Sequence, residues 1–299
     1  MSLELQEREI TEPAKKTDRR FVTAALMLVM VLASMEQTIT STAMPTIIGD
    51  LQGFEHYSWV FSIYLLALAV SMPLYGRFAD VWGRKRVILG AVLVFSIGSA
   101  LAASAQTMTQ LIVYRAMQGL GAGGIMPVVL TILGDIFTLE ERARVQGLFS
   151  AIWGSASLAG PALGAVLVKA LGWRSIFFVN LPAGVAGLLV LVWKYHDREK
   201  PHSTDLDLPG ACALSICCMA SLLLVSGVVP AEHAVGIVST LAVVAVISGW
   251  IFVRIERTAE NPIMPPALMI HRAIGPVMAG SFLLGCAFLC LDTLSLIHI

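Results

Sequence analysis

The sequence is dominated by long apolar runs that are separated by short charged segments. A helix needs about 20 consecutive apolar residues to cross the hydrocarbon core of a bilayer, and most of these runs are close to that length. Hydrophobic residues make up 57% of the chain and charged residues 13%, whereas ordinary soluble domains contain about 25% charged residues. The pattern therefore predicts an all-α membrane protein with nine spans. They are residues 21–43, 58–75, 87–105, 110–133, 145–168, 175–193, 209–229, 234–253 and 273–291.

The lysines and arginines between the spans predict the orientation of the chain. They concentrate in the N-terminal tail and in the loops on the same side of the membrane, whereas the opposite loops contain only Lys169 and Arg174. Because cytoplasmic loops are enriched in Lys and Arg, we expect an integral, multi-pass protein of the plasma (cytoplasmic) membrane with a cytoplasmic N-terminus. The formal net charge of zero gives no indication of a nucleic-acid partner.

Residues 76–86, with the sequence GRFADVWGRKR, form a strongly charged loop between two uncharged runs. Gly76 and Gly83 would permit a tight turn. Asp80 and Arg84 are four residues apart, so a single helical turn would bring their side chains onto one face. A simpler interpretation is that the basic residues of this segment only fix the orientation of the chain.

Two charged residues fall inside predicted spans, Glu36 in the first and Arg115 in the fourth. A charge at that depth is costly unless it faces protein or water, and such residues are usually functional. A buried carboxyl group can load and release a proton, so Glu36 and Arg115 are the predicted proton-coupling pair. The alternative is an ion pair that only stabilises the bundle. Thr40 and Gln118 lie one turn from these charges, and with Gln37 and Glu36 itself they are candidates for contact with a substrate.

The fifth predicted span contains a regular series of small residues. Ala156, Gly160 and Gly164 recur every four positions, which would let a neighbouring helix approach almost to backbone contact. Pro161 removes one backbone hydrogen bond and creates a pliable point, and Gly154 precedes the series. Helix packing alone would be sufficient to explain this pattern.

The charged segment 76–86 resembles the loop between the second and third helices of the major facilitator superfamily. The family pattern is G-x-L-A-D-x-x-G-R-K-x, and this chain has Phe78 at the position of the usual Leu. In that family the loop is a conformational latch. The resemblance implies that a cytoplasmic gate is formed by Gly76, Arg77, Asp80, Gly83 and Arg84.

Three further segments are similar to motifs of this superfamily. Residues 35–45, MEQTITSTAMP, resemble L-D-x-T-I-V-x-x-A-L-P of the fourteen-helix drug/proton antiporters, with Glu36 where Asp is usual. Residues 115–124 resemble R-x-x-Q-G-x-G-x-G/A, whose Arg is linked to proton transfer. Residues 154–164 resemble the exporter signature G-x-x-x-G-P-x-x-G, which implies antiport. In that signature the packing positions are Gly154, Gly160, Pro161 and Gly164.

The resemblance to the fourteen-helix branch also implies a division into domains. Six helices form one bundle, an inserted pair follows, and a second bundle should complete the protein. The expected divisions are a cytoplasmic tail (1–20), the N-terminal six-helix bundle (21–193), a cytoplasmic linker (194–208), the inserted pair (209–253), a second cytoplasmic linker (254–272) and the start of an incomplete C-terminal bundle (273–299). We therefore expect a chain truncated after its ninth helix.

These observations predict a proton-coupled secondary transporter that exports amphipathic or cationic small molecules by alternating access. The alternatives are a proton-driven nutrient symporter and a truncated membrane protein that does not transport. The expected partners are a small-molecule substrate, protons, the lipid bilayer and the missing C-terminal bundle. No pattern typical of an enzyme, a cofactor site or a metal site is evident in the sequence.

Overall fold

The computed structural model describes residues 17–197, 208–225 and 234–259, together with residues 272, 274–277, 279, 280 and 283. Every regular element in these residues is helical. The helices are α1 (Arg19–Leu51), α2 (Tyr57–Trp82), α3 (Arg84–Ala103), α4 (Met108–Ile136), α5 (Leu139–Leu171), α6 (Ser175–Phe178), α7 (Asn180–Lys194), α8 (Leu208–Val225) and α9 (Ala234–Thr258), with a 3-10 turn at Phe54–His56.

Seven helical segments of the described residues are long and apolar enough to cross a membrane. They correspond to the first six predicted spans and the eighth, with α6 and α7 together forming the sixth. The predicted seventh span is a shorter apolar helix, Pro209–Leu224. The ninth predicted span and most of the predicted tail lie outside the described residues. An all-α membrane fold is thus confirmed.

Two helices continue well past their predicted ends. Helix α1 extends to Leu51. Helix α2 extends to Trp82, so most of the predicted loop 76–86 is helical and Gly83 alone separates α2 from α3. Gly83 has a φ of 87°, a left-handed conformation that favours glycine. The predicted tight turn at Gly76 is wrong, because this residue lies inside α2.

The first seven helices pack into one bundle. Helix α1 contacts α5 and α7, while α4 packs against both α2 and α3, and α3 also contacts α7. Helix α8 packs against α2, and α9 packs against α8. The Ser215 hydroxyl of α8 donates a hydrogen bond of 3.1 Å to the Val70 carbonyl oxygen of α2. The pair α8–α9 is therefore joined to the bundle through α2.

Glycines bring α4 into close contact with its two neighbours. A β-carbon at Gly119 or Gly123 would clash with the backbone of α2, and one at Gly121 would clash with Phe95 of α3. Small residues at these positions allow the helix backbones to approach closely. Helix α4 consequently lies against both α2 and α3, and its Arg115 and Gln118 side chains are fully buried.

Buried apolar residues form two separate clusters, one around the N-terminal half of α1 and one around its C-terminal half. Along α1, the first cluster ends at Leu32 and the second begins at Ile39. Along α4, the second cluster ends at Leu111 and the first resumes at Ala122. A polar layer that contains Glu36 therefore lies between two apolar layers of the bundle.

Candidate functional site

An ion pair between Glu36 and Arg115 forms the centre of this polar layer. Nη1 of Arg115 lies 2.5 Å from Oε1 of Glu36. The Glu36 side chain is 3% exposed and the Arg115 side chain 0% exposed. Charged hydrogen bonds of this length, with both charges withdrawn from solvent, are strong, but each charge depends on the other for compensation. The structure thus brings together the two charges that the sequence placed inside spans.

Arg115 is held in place by groups from α2 and from its own helix. Its Nη1 also donates to Oε1 of Gln118 at 2.7 Å, and its Nε donates to the Val60 carbonyl oxygen at 3.4 Å. The guanidinium carbon lies 4.2 Å from the centre of the Tyr64 ring. A cation over an aromatic face is attracted by the ring quadrupole, more strongly where water is excluded.

Both carboxylate oxygens of Glu36 accept hydrogen bonds from the protein. Oε1 accepts from Arg115, and it also lies 3.3 Å from the Thr40 hydroxyl, which donates to the Glu36 backbone carbonyl oxygen at 2.7 Å. Oε2 accepts from Nδ2 of Asn180 at 2.6 Å. The same Asn180 nitrogen lies 3.0 Å from Oγ of Ser99, whose hydroxyl donates to the Phe177 carbonyl oxygen. In the contacts with Arg115 and Asn180 the carboxyl group is the acceptor.

Asn180 was not identified from the sequence. It lies at the start of α7 in the sixth span, directly after Val179, whose backbone has the helical angles φ -62° and ψ -25°. Its side chain is buried at 3% exposure. The only sequence signal was a single amide residue in an apolar run, which does not indicate a partner 144 residues away.

Three buried donors of the site have no hydrogen-bond partner among the described residues. They are the Tyr64 hydroxyl, Nη2 of Arg115 and Nε2 of Gln118. Leaving a buried donor unpaired costs about 1–3 kcal/mol. The polar layer therefore retains hydrogen-bonding capacity that the fold itself does not use. Gln37, also predicted as a substrate contact, is exposed on α1.

The predicted gate residues occupy the junction of α2 and α3. Arg84 forms an ion pair with Asp135 at the end of α4, and both side chains are about one-fifth exposed. Asp80 is exposed and forms no ion pair with any described residue. The expected face shared by Asp80 and Arg84 is not formed, because Gly83 interrupts the helix between them. Arg77 is half-buried on α2.

The residues that follow α7 bind to this junction. The Asp197 carboxylate accepts from the Lys85 backbone N–H at 3.1 and 3.3 Å, and an anion is favourable at the start of a helix. A β-carbon on Gly83 would lie 2.8 Å from Oδ2 of Asp197. Burial, assisted by the neighbouring Asp197 carboxylate, raises the pKa of Tyr195 above its ordinary value. Glycine at position 83 thus provides the space in which Asp197 caps α3.

The small residues of α5 lie against α1, next to the site. A β-carbon on Gly160 would clash with Oγ1 of Thr38, and one on Gly164 would lie 3.2 Å from the Ile39 carbonyl oxygen. Pro161 lies inside α5 between these glycines. By contrast, a β-carbon on Gly154 would have no atom within 4 Å. The close contact is therefore confined to the segment that faces the helix of Glu36.

In the described part of the chain, no group of three or more His, Cys, Asp or Glu side chains could hold a metal ion. Long apolar helices around a buried ion pair define a multi-pass membrane protein. The chain belongs to the Major Facilitator Superfamily, whose family model matches residues 26–297. The family assignment predicted from the four motifs is confirmed, and it identifies a transporter fold and not an enzyme.

The relatives that resemble the chain include bacterial and fungal transporters. It is 35% identical over 283 residues to Multidrug resistance protein 3 of Bacillus subtilis, covering 94% of this chain and 55% of that protein. It is 33% identical over 270 residues to Multidrug transporter protein MdtP of the same organism, covering 88% and 49%. Efflux pump FUS6 of Gibberella fujikuroi is 34% identical over 181 residues, covering 60% and 33%. The chain thus spans about half the length of the two Bacillus proteins.

Solved structures of the same fold include the human organic anion transporter MFSD10. The TM-score is 0.54 at 16% identity, with 68% of this chain and 55% of that chain covered. An auto-inhibited peptide transporter of the POT family gives a TM-score of 0.53 at 16% identity, with 80% and 53% covered. At this identity the likeness concerns the fold alone.

Proposed function

We propose that this chain is part of a proton-coupled secondary transporter that exports amphipathic or cationic small molecules by alternating access. The observation that carries the proposal is the buried contact of 2.5 Å between Glu36 and Arg115 in the polar layer. Intramembrane charges that pair inside a bundle mark proton relays and substrate pathways. The names of the bacterial relatives, which refer to multidrug resistance and multidrug transport, support small molecules as substrates.

Protonation of Glu36 would change the site in two ways. The neutral carboxyl group no longer compensates the charge of Arg115, so the cation needs a new partner. A proton on Oε2 also makes that oxygen a hydrogen-bond donor. It would then face a second donor, because Nδ2 of Asn180 lies 2.6 Å from it. Rotation of the Asn180 amide would present its carbonyl oxygen instead. Since Asn180 belongs to α7, this exchange connects the protonation of Glu36 to the sixth span.

The proposed mechanism also includes a cytoplasmic gate at the junction of α2 and α3. The gate comprises Gly76, Arg77, Asp80, Gly83 and Arg84, with the Arg84–Asp135 pair holding the ends of α3 and α4 together. Substrate contacts are assigned to Glu36, Gln37, Thr40 and Gln118. The N-terminus is cytoplasmic, the membrane is the plasma membrane, and a second bundle completes the transport pathway, because alternating access moves one bundle against another.

The experiment uses inside-out vesicles that contain the complete protein of this reading frame, with the membrane potential clamped by potassium and valinomycin. An acidic interior should drive the accumulation of tetraphenylphosphonium, a lipophilic cation, while protons leave. Glu36→Gln should abolish this accumulation but not membrane insertion. Glu55→Gln is the matched control, because Glu55 is exposed in a 3-10 turn outside the polar layer.

The outcome separates the alternatives. Movement of the cation in the same direction as protons would favour a symporter. No gradient-driven movement in the wild type would favour a non-transporting protein. Undiminished accumulation in Glu36→Gln would remove Glu36 from the coupling role. Asn180→Leu, which removes both the donor and the acceptor of the amide, should shift the pH at which accumulation is half-maximal.

A further inference from the structure

A cavity of about 450 Å³ lies between the end of α2 and the start of α3. Its walls include Tyr75, Phe78 and Trp82 of α2 and Arg86 and Gly90 of α3. This volume is within the range of about 300–1,000 Å³ that is typical of ligand sites. The cavity is distinct from the polar layer, because its lining includes neither Glu36 nor Arg115 nor any of their hydrogen-bond partners.

The α2 wall of the cavity is a continuous aromatic surface. The rings of Phe78 and Trp82 are stacked with centroids 4.6 Å apart, and Tyr75 meets Phe78 edge to face at 6.0 Å. Residues three and seven positions apart lie on one helix face, which explains this alignment. Trp82 is 51% exposed. Amphipathic aromatic rings of this kind are enriched at the level of the lipid headgroups.

The α3 wall contributes a single cation. Two basic residues of the segment are used within the fold, since Arg84 pairs with Asp135 and the Lys85 ammonium donates to the Val192 carbonyl oxygen at 2.7 Å. Arg86 is exposed, and it forms no hydrogen bond or ion pair with the described residues. A guanidinium at the rim of an aromatic cavity, with no partner in the described part of the chain, fits an anion attached to an apolar body.

We propose that this cavity binds an anionic phospholipid of the surrounding leaflet, with its phosphate on Arg86 and an acyl chain along the rings of Phe78 and Trp82. Guanidinium groups recognise phosphate through paired, charge-assisted hydrogen bonds. The lining includes no acidic side chain that would repel the phosphate. The cationic substrates of the proposed transport function would be repelled by Arg86, so this site is not the transport site. The proposal does not depend on transport.

Gly90 offers a way to close the cavity without disturbing the fold. A β-carbon at this position would have no atom within 4 Å, so a larger side chain is tolerated. Replacing an interior helical glycine also favours the helix. Gly90→Leu should therefore fill the cavity, whereas Arg86→Gln removes only the charge.

The experiment measures fluorescence quenching of Trp82 by brominated lipids in phosphatidylcholine vesicles that contain the chain. A small mole fraction of brominated phosphatidylglycerol is compared with the same fraction of brominated phosphatidylcholine, and Trp82→Phe is subtracted to isolate Trp82. The anionic lipid should quench Trp82 about fivefold more efficiently, the factor that corresponds to about 1 kcal/mol for one basic residue at an anionic surface. Raising the salt concentration should reduce the difference.

Arg86→Gln should make the two lipids equally effective, and Gly90→Leu should weaken quenching by both. Arg144→Gln and Gly147→Leu are the matched controls, since Arg144 is exposed on α5 and a β-carbon on Gly147 meets no atom within 4 Å. Equal quenching by both lipids in the wild type would overturn the proposal. It would also be overturned if the preference persisted in Arg86→Gln, or if neither lipid quenched Trp82 because protein covers it.

Discussion

Substitution of either member of the Glu36–Arg115 pair should destabilise the bundle far more than substitution of an exposed pair. Removing one partner of a buried ion pair typically costs about 3–5 kcal/mol, because the other charge is left uncompensated. In Glu36→Gln, Arg115 keeps its contacts with Gln118 and with the Tyr64 ring. We therefore expect a loss near the lower limit, about 3 kcal/mol in the free energy of unfolding.

The assay is a double-mutant cycle on the chain in mixed micelles. The free energy of unfolding is obtained from titration with sodium dodecyl sulfate, followed by the loss of helical circular dichroism. Glu36→Gln and Arg115→Gln should each be costly, and the double variant should lose much less than their sum. The matched control is the pair of Arg174 and Asp50, with atoms 3.7 Å apart and both side chains about half exposed.

For the control pair, the interaction energy should be between about 0 and 1 kcal/mol. The reasoning about the buried pair would be refuted if the two single losses added to within about 0.5 kcal/mol, as they do for independent sites. It would also be refuted if Glu36→Gln had no effect on the free energy of unfolding, because Arg115 would then not depend on the carboxylate.

Two further substitutions test the packing and the gate. Gly160→Leu should separate α5 from α1, because even a β-carbon at this position clashes with Thr38. The free energy of unfolding should fall by at least about 1–3 kcal/mol. Gly154→Leu should have little effect, because a β-carbon there meets no atom within 4 Å. Asp135→Asn should lower the free energy of unfolding by about 1–3 kcal/mol, because Arg84, about one-fifth exposed, loses its anion. The double variant Arg84→Asp with Asp135→Arg, in which the charges are exchanged, should recover part of this loss. Equal losses for the two glycine variants, or no recovery in the swapped variant, would contradict these contacts.

The positions of the spans could be predicted from the sequence because the bilayer imposes a length and a composition on any helix that crosses it. The ends of the helices could not be predicted in this way. Helix α2 continues through the charged residues to Trp82, since a helix satisfies its own backbone hydrogen bonds in water as well as in lipid. Gly83 ends it through a positive φ, and the sequence alone did not distinguish this glycine from Gly76.

The site was predictable to the extent that charges within spans need partners. Glu36 and Arg115 were the obvious candidates, and they meet. Their polar neighbours depend on tertiary structure. Asn180 reaches Glu36 because α7 packs against α1, and no local pattern indicates that contact.

The gate illustrates the same limit. Spacing suggested that Arg84 would meet Asp80, four residues before it. The structure pairs Arg84 with Asp135, which is 51 residues away and is brought near by the packing of α3 against α4. Periodicity describes neighbours on one helix, whereas contacts between helices depend on how the bundle is assembled.

The most direct test of proton coupling at Glu36 is the release of protons when a cation binds to the complete purified protein. Tetraphenylphosphonium is added in weakly buffered detergent solution, proton release is followed with a pH-sensitive dye, and bound cation is measured by equilibrium dialysis. The wild type should release protons in proportion to the bound cation, and Glu36→Gln should release none for each cation that it binds. Equal release per bound cation in both proteins would contradict the assignment of the coupled proton to Glu36.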